Sequence, residues 1–170
     1  MDKYSKKFVA LHWVHGAILT FLLVGATLKL PHLPKVGGDL SPYKMHIIVG
    51  VIALVLLIIR VILAKKEPEF TLYNSPKDAL VKWNHRLIYL FTAVTAISGM
   101  ATAKISNLGA VVLAGAKATS YTGATTVVAN LASLHSVSSK ILMALIAMHI
   151  VGVVAYVVTK KDNVIKRMWF

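Results

Sequence analysis

Four long apolar stretches constrain this chain more than any other feature of its sequence. Each is long enough to cross a hydrocarbon core of about 30 Å, which takes roughly 20 residues of helix. In lipid each segment must satisfy its own backbone hydrogen bonds, so we expect helices and not strands. The sequence therefore predicts an all-α membrane protein, a four-transmembrane-helix bundle that forms one domain over residues 1–170. The predicted spans are residues 8–30, 43–64, 83–103 and 131–159.

The connection between the third and fourth predicted spans has an unusual composition. Residues 104–130 are rich in Ala, Gly, Thr and Val and carry few charges. We expect its apolar part to lie on the membrane surface.

Lysine and arginine are unequally divided between the two faces that four alternating spans create. Thirteen of the 19 fall on the face that carries both termini, and 6 fall on the opposite face. Because cytoplasmic loops carry the excess of these residues, both termini are predicted to be cytoplasmic. The positive-inside rule and the attraction of Lys and Arg to anionic headgroups account for the net charge of +13. Nucleic acid is therefore not an expected partner. The opposite face carries Lys29, Lys35, Lys44, Lys104, Lys117 and Lys140, with Asp39 as its one acid.

The chain contains no cysteine, and this narrows its possible chemistry. Disulfides, iron–sulfur clusters, thiolate zinc sites and covalent haem attachment through a CxxCH motif are all excluded. Histidine is the remaining metal-ligating residue that recurs, and within a membrane span it is costly and usually functional. Of the seven histidines, His32 is expected to be solvated in a loop. The others form an inner, cytoplasmic layer of His12, His15, His85 and His149, and an outer layer of His46 and His135.

The spacing of His135 and His149 is the most informative of these patterns. Fourteen residues make about four helical turns, so both rings leave one face of the fourth span about 21 Å apart. His12 can face His149 at the inner depth, and His46 can face His135 at the outer depth. Opposed imidazoles in a helix bundle suit bis-histidine haem iron. Buried histidines that bond only to backbone are the alternative, which stays open for His15 and His85 taken singly.

Small and cationic residues near these histidines have two interpretations each. Gly16, Gly50 and Gly152 follow His12, His46 and His149 by one turn, and either leave room for a macrocycle or let helices approach. Arg60 lies fourteen residues after His46, where it can neutralise a haem propionate or snorkel to the headgroups. Lys140 is a weaker candidate for the same role at the outer layer.

Several short segments together resemble the bacterial cytochrome b561 family, which is related to the cytochrome b subunits of nickel–iron hydrogenases and formate dehydrogenases. They run in order along nearly the whole chain. They are Lys3-Tyr4-Ser5, Leu11-His12-Trp13, His46 with Gly50 and Arg60, His85-Arg86-Leu87-Ile88-Tyr89, Gly99-Met100, Leu134-His135, His149, and Lys161-Asp162-Asn163 before Arg167-Met168.

The resemblance implies two non-covalent haem b groups and electron exchange with the quinone pool. It pairs His12 with His149 and His46 with His135, and it places a quinone site near His85. The connection of residues 104–130 departs from the family pattern because it is apolar and lacks acids, which leaves the external partner open.

We therefore predict a multi-pass protein of the bacterial inner membrane that passes electrons from an external, periplasmic donor to ubiquinone or menaquinone. Superoxide is a candidate donor, since some members of the family it resembles are superoxide oxidases, and a periplasmic redox protein is another. His85 is the candidate proton donor to quinone, with His15 second. Whether the chain is itself an oxidoreductase stays open at this point.

Two other functions are alternatives to this one. The first is a membrane anchor and electron-accepting subunit of a separate dehydrogenase or hydrogenase. The second is a transition-metal transporter with histidine ligands, against which the lack of intramembrane acids and cysteines argues.

Overall fold

A computed structural model describes residues 3–32, 39–68, 77–114, 121, 125–160 and 164–169. This part of the chain is helical and contains no strand. Two short 3-10 segments, Leu30–His32 and Val164–Met168, accompany five α-helices. The helices are α1 (Lys6–Leu28), α2 (Ser41–Ala64), α3 (Lys77–Ile105), α4 (Leu108–Ala114) and α5 (Thr126–Lys160).

Four of these helices, α1, α2, α3 and α5, are long and apolar enough to cross a membrane, which confirms the predicted bundle. All four begin earlier than the predicted spans, and α3 and α5 do so by more than a helical turn. Hydropathy marks the part of a helix that lies in lipid, whereas the backbone hydrogen bonds of a helix continue into the polar region beyond it.

Local sequence explains where the helices begin. The Ser5 hydroxyl accepts a hydrogen bond from the Phe8 N–H (3.3 Å) and caps α1. Pro42 lies in the first turn of α2, where its missing N–H has no cost. Just before α2, the Asp39 carboxylate accepts a bond from the Ser41 N–H (2.9 Å), which lowers the pKa of that carboxyl. The Ser5 and Asp39 side chains thus each satisfy a backbone N–H at the start of a helix.

The described part of the 104–130 connection includes a helix that the sequence analysis did not predict. Helix α4 packs against α3 and α2 and buries Val111 and Val112, so this stretch is not simply laid on the membrane surface. Asn107 joins α3 to α4 with a φ of 58°, a left-handed conformation that asparagine tolerates better than most residues. Residues 115–120 and 122–124 lie outside the described part.

The four long helices do not pack equally. Within the described residues, α1 packs on α2, α2 on α3, and α3 most closely on α5. Helices α1 and α2 form no comparable backbone packing with α5. Halfway along the bundle, Leu19, Leu22 and Ala53 form a buried cluster against which Ile146 of α5 packs. Open space therefore remains between α5 and helices α1 and α2, toward both ends of the bundle.

The first and last described residues of the chain lie together at one end of the bundle. The Ser5 N–H donates to the Glu67 carboxylate (2.8 Å), as does the Ser5 hydroxyl, which ties α1 to the chain after α2. The C-terminal 3-10 segment reaches α1 through the Trp13 indole N–H, which donates to the Met168 carbonyl (2.7 Å). We call this the terminal end and the other the far end. Which end faces the cytoplasm stays a prediction.

Candidate functional site

The far end holds one facing pair of histidines, His46 on α2 and His135 on α5. Their ring centroids lie 6.0 Å apart with the rings nearly perpendicular, at 86°. Nδ1 of His135 lies 2.7 Å from the Thr95 carbonyl oxygen of α3. A carbonyl only accepts, so Nδ1 carries the proton and the Nε2 lone pair of His135 is left for a metal ion.

The terminal end brings three histidine rings together. His12 on α1 and His149 on α5 have ring centroids 6.2 Å apart. His85 on α3 lies closer still, with its centroid 4.8 Å from that of His149. Nδ1 of His85 donates to the Val81 carbonyl one turn earlier (2.8 Å). The sequence analysis placed His85 at this depth but did not predict its contact with His149.

Two apolar cavities border these histidines. A cavity of about 1050 Å³ begins beside His12, His85 and His149 and extends along α1 as far as His46. A second, of about 240 Å³, lies between His46 and His135. Cofactor sites in proteins are commonly about 300–1,000 Å³ and mostly apolar, with a few polar groups that fix the ligand. The larger cavity therefore has the size and lining of a cofactor site.

Glycine forms part of the wall of each cavity. Gly16 lines the larger cavity and Gly50 the smaller, and a Cβ at either position would meet no atom within 4 Å. Both glycines thus leave space beside a histidine, which agrees with the first of the two interpretations given above. Gly152 is exposed and lines neither cavity, so the structure does not bring it to the site.

Arg60 is a buried cation at the terminal end, with 7% of its surface exposed. Its guanidinium lies over the rings of Phe8 and Tyr89, at 5.8 and 5.4 Å. Nη2 donates to Nδ1 of His12, while Nε has no hydrogen-bond partner among the described residues. Arg60 also lines the larger cavity and does not snorkel. A buried guanidinium with a free donor beside a cavity is suited to an anionic group.

The chain matches the family model described as prokaryotic cytochrome b561 over residues 3–170. It belongs to the prokaryotic cytochrome b561 family. No curated protein and no solved structure matches it. Membership and the four apolar helices together make it a multi-pass membrane protein that binds haem b and transfers electrons.

The residues of this cytochrome b561 fit haem. Two imidazoles bound to one metal ion from opposite sides, each through a nitrogen at about 2 Å, have centroids roughly 6 Å apart. The separations of 6.2 Å for His12 and His149 and 6.0 Å for His46 and His135 suit such a pair. The 4.8 Å between His85 and His149 is too short for it. Geometry thus favours His12 over His85 as the partner of His149.

Three other residues named in the sequence analysis lie away from the cavities, and one of them, His32, was expected to be solvated. His15 is 1% exposed and lies against the backbone of Ala53, but neither ring nitrogen makes a hydrogen bond of normal geometry. His32 is exposed. Lys140 is exposed as well, and five residues rotate it about 140° around α5 from His135, so the two side chains leave different faces of the helix.

Sequence reasoning missed the contributions of α3 to the far-end pair. Thr95 accepts the bond from His135, and Gly99 lies beside the same ring. Gly99 belonged to the resemblance, but nothing in its spacing related it to a histidine on another helix.

Proposed function

We propose that this cytochrome holds two b-type haems, one between His12 and His149 and one between His46 and His135. In this proposal it carries electrons from a periplasmic donor to the quinone pool of the bacterial inner membrane, with both termini in the cytoplasm. The proposal rests on two ring separations near 6 Å. Each joins a histidine of α5 to a histidine of another helix, and the two lie at different depths of the bundle.

The packing of the bundle supports two sites. Both histidine pairs bridge helices that do not pack closely in the described residues, α1 with α5 and α2 with α5. Apolar surface gains little by leaving lipid for another helix, so membrane helices associate through close packing and polar contacts. A gap flanked by ligating side chains is therefore expected to be filled by a ligand that both helices bind.

The side chains around each pair hold and shield a ligand of this kind. Haem b, when bound, supplies one-electron redox chemistry. The Arg60 guanidinium is placed to bind a carboxylate at the terminal end, and Gly16 and Gly50 leave room beside the ligands. The apolar lining excludes water and keeps the local dielectric low.

His85 supports a quinone site at the terminal end. Its Nδ1 proton is bound to the Val81 carbonyl, so Nε2 is the nitrogen that can take up and release a proton. His85 and Tyr89 line the larger cavity next to His149. We expect His85→Gln to keep both haems and to slow electron exchange with a soluble quinone analogue. Stopped-flow reduction kinetics test this, and an unchanged rate would assign His85 to packing alone.

Charge on the far end supports an anionic external donor. Lys29, Lys44 and Lys104 are exposed there, while Lys35 and Lys117 lie outside the described residues. A positive surface raises the encounter rate of anions, superoxide or an acidic redox protein included. A large dehydrogenase that co-purifies with the chain would instead favour the alternative function of a membrane subunit.

Replacing one ligand on α5 at a time tests the pairing. His149→Leu should remove the haem at the terminal end and spare the other, and His135→Leu should do the reverse. Haem-to-protein ratios and low-spin electron paramagnetic resonance signals of the purified variants measure this. If His12→Leu retained both signals while His85→Leu lost one, the assignment of His12 would be wrong.

A further inference from the structure

The His135 ring lies directly against Gly99 of α3. A Cβ atom added to Gly99 would stand 2.7 Å from Cε1 and 2.8 Å from Nδ1 of His135. Its third neighbour, at 3.6 Å, is Nε2 of the same ring. Since a carbon atom cannot approach that closely, any side chain at this position forces the ring to move.

The same edge of the ring is held one turn earlier on α3. Nδ1 of His135 donates to the Thr95 carbonyl (2.7 Å), four residues before Gly99. The Thr95 hydroxyl donates to Ser138 (2.9 Å), whose hydroxyl donates to the His135 carbonyl (3.1 Å). Thr95 thereby fixes the ring tautomer, but only a ring that lies this close to the α3 backbone can reach its carbonyl.

We propose that Gly99 is a positioning residue for His135 as a haem ligand. Its missing side chain admits the imidazole to the surface of α3, where the Thr95 carbonyl holds the proton on Nδ1 and leaves Nε2 for iron. The inference rests on the proposed far-end haem. Partners of this kind orient metal-ligating histidines, and their loss costs about 10–100-fold in metal affinity.

A glycine in a membrane helix can also serve helix approach alone. Here the three nearest neighbours of the added Cβ are all atoms of the His135 ring, and none belongs to the α5 backbone. Gly99 therefore makes room for one side chain. A packing role would affect both haems through the stability of the bundle, whereas a positioning role affects the far-end haem alone.

The test compares Gly99→Ala with Gly152→Ala in the purified, haem-loaded protein. A Cβ at Gly152 meets nothing within 4 Å, so that variant controls for the extra methyl group. We expect Gly99→Ala to bind the far-end haem about 10–100-fold more weakly, or to change its midpoint potential and low-spin resonance signal. The other haem and the Gly152→Ala variant should match the wild type.

The outcomes separate this inference from the proposed function. Two unperturbed haems in Gly99→Ala would overturn the role of Gly99 and leave the di-haem proposal standing. A single haem in the wild type would instead refute the di-haem proposal. If Gly99→Ala fails to accumulate in membranes, the double variant Gly99→Ala/His135→Ala should accumulate like His135→Ala, because the clashing ring is gone. Failure of the double variant as well would assign Gly99 to helix packing and overturn the inference.

Discussion

The hydrogen bond between Arg60 and His12 requires a different His12 tautomer from the one that haem binding requires. A guanidinium only donates, so Nδ1 of His12 accepts its bond and the neutral ring carries its proton on Nε2. When Nε2 binds a metal ion, the proton must sit on Nδ1, which then becomes a donor. We therefore expect Arg60 to leave His12 when haem binds and to hold an anionic group of the cofactor instead.

This exchange predicts the effect of removing the charge. Arg60→Met should lower the midpoint potential of the terminal-end haem, because a nearby cation stabilises the reduced, more negative state. It should also weaken haem retention there, while the far-end haem stays unchanged. Arg86→Met is the matched control, since Arg86 is exposed and lies over Trp83 at 5.3 Å. Potentiometric titration of both variants decides it. Equal shifts in both would show only a general effect of surface charge.

The C-terminal 3-10 segment, Val164–Met168, supports the helices that carry the terminal-end histidines. Helix α3 has a similar supporting role at the far end, where it contacts His135. The C-terminal segment continues the chain from α5, which carries His149, and contacts α1, which carries His12. Trp13, the neighbour of His12, donates to the Met168 carbonyl (2.7 Å) and lies edge-on to Trp169. The segment thus connects the two helices across a gap that they do not close by packing.

Removing that connection should affect one haem. Trp13→Phe deletes the indole N–H and keeps an aromatic ring. A hydrogen bond contributes about 0.5–1.5 kcal/mol net, so retention of the terminal-end haem should fall roughly two- to tenfold. Haem loss to an apoprotein acceptor measures this, with Trp83→Phe on the exposed face of α3 as the control. A loss shared by both haems would contradict a local role for the segment.

Residue spacing within single helices could be predicted from the sequence, whereas the packing of one helix against another could not. The shared face of His135 and His149 follows from helical geometry, and the depths of His12 and His46 follow from alternating spans. The rotation of α3, which brings His85 to His149 and Gly99 to His135, depends on packing that hydropathy does not encode. The candidate role of Lys140 beside His135 took no account of rotation, since five residues turn a helix by about 140°.

In the proposed arrangement, the long helix α5 carries one haem ligand toward each end, and helices α1, α2 and α3 complete the two sites. An apolar cluster of Leu19, Leu22 and Ala53 is buried between the two ends. Along α5 the two ligand positions are about 21 Å apart, which is within a hydrocarbon core of about 30 Å. This arrangement is what we expect of a protein with one haem site near each surface of the bilayer, as proposed above.

The number of haem groups per chain tests this account most directly. It is measured on the protein purified in detergent, by the pyridine haemochrome spectrum together with amino-acid analysis for protein quantity. The account predicts two extractable b-type haems per chain, both low-spin when oxidised. A ratio near one, or zinc in place of iron, would contradict it.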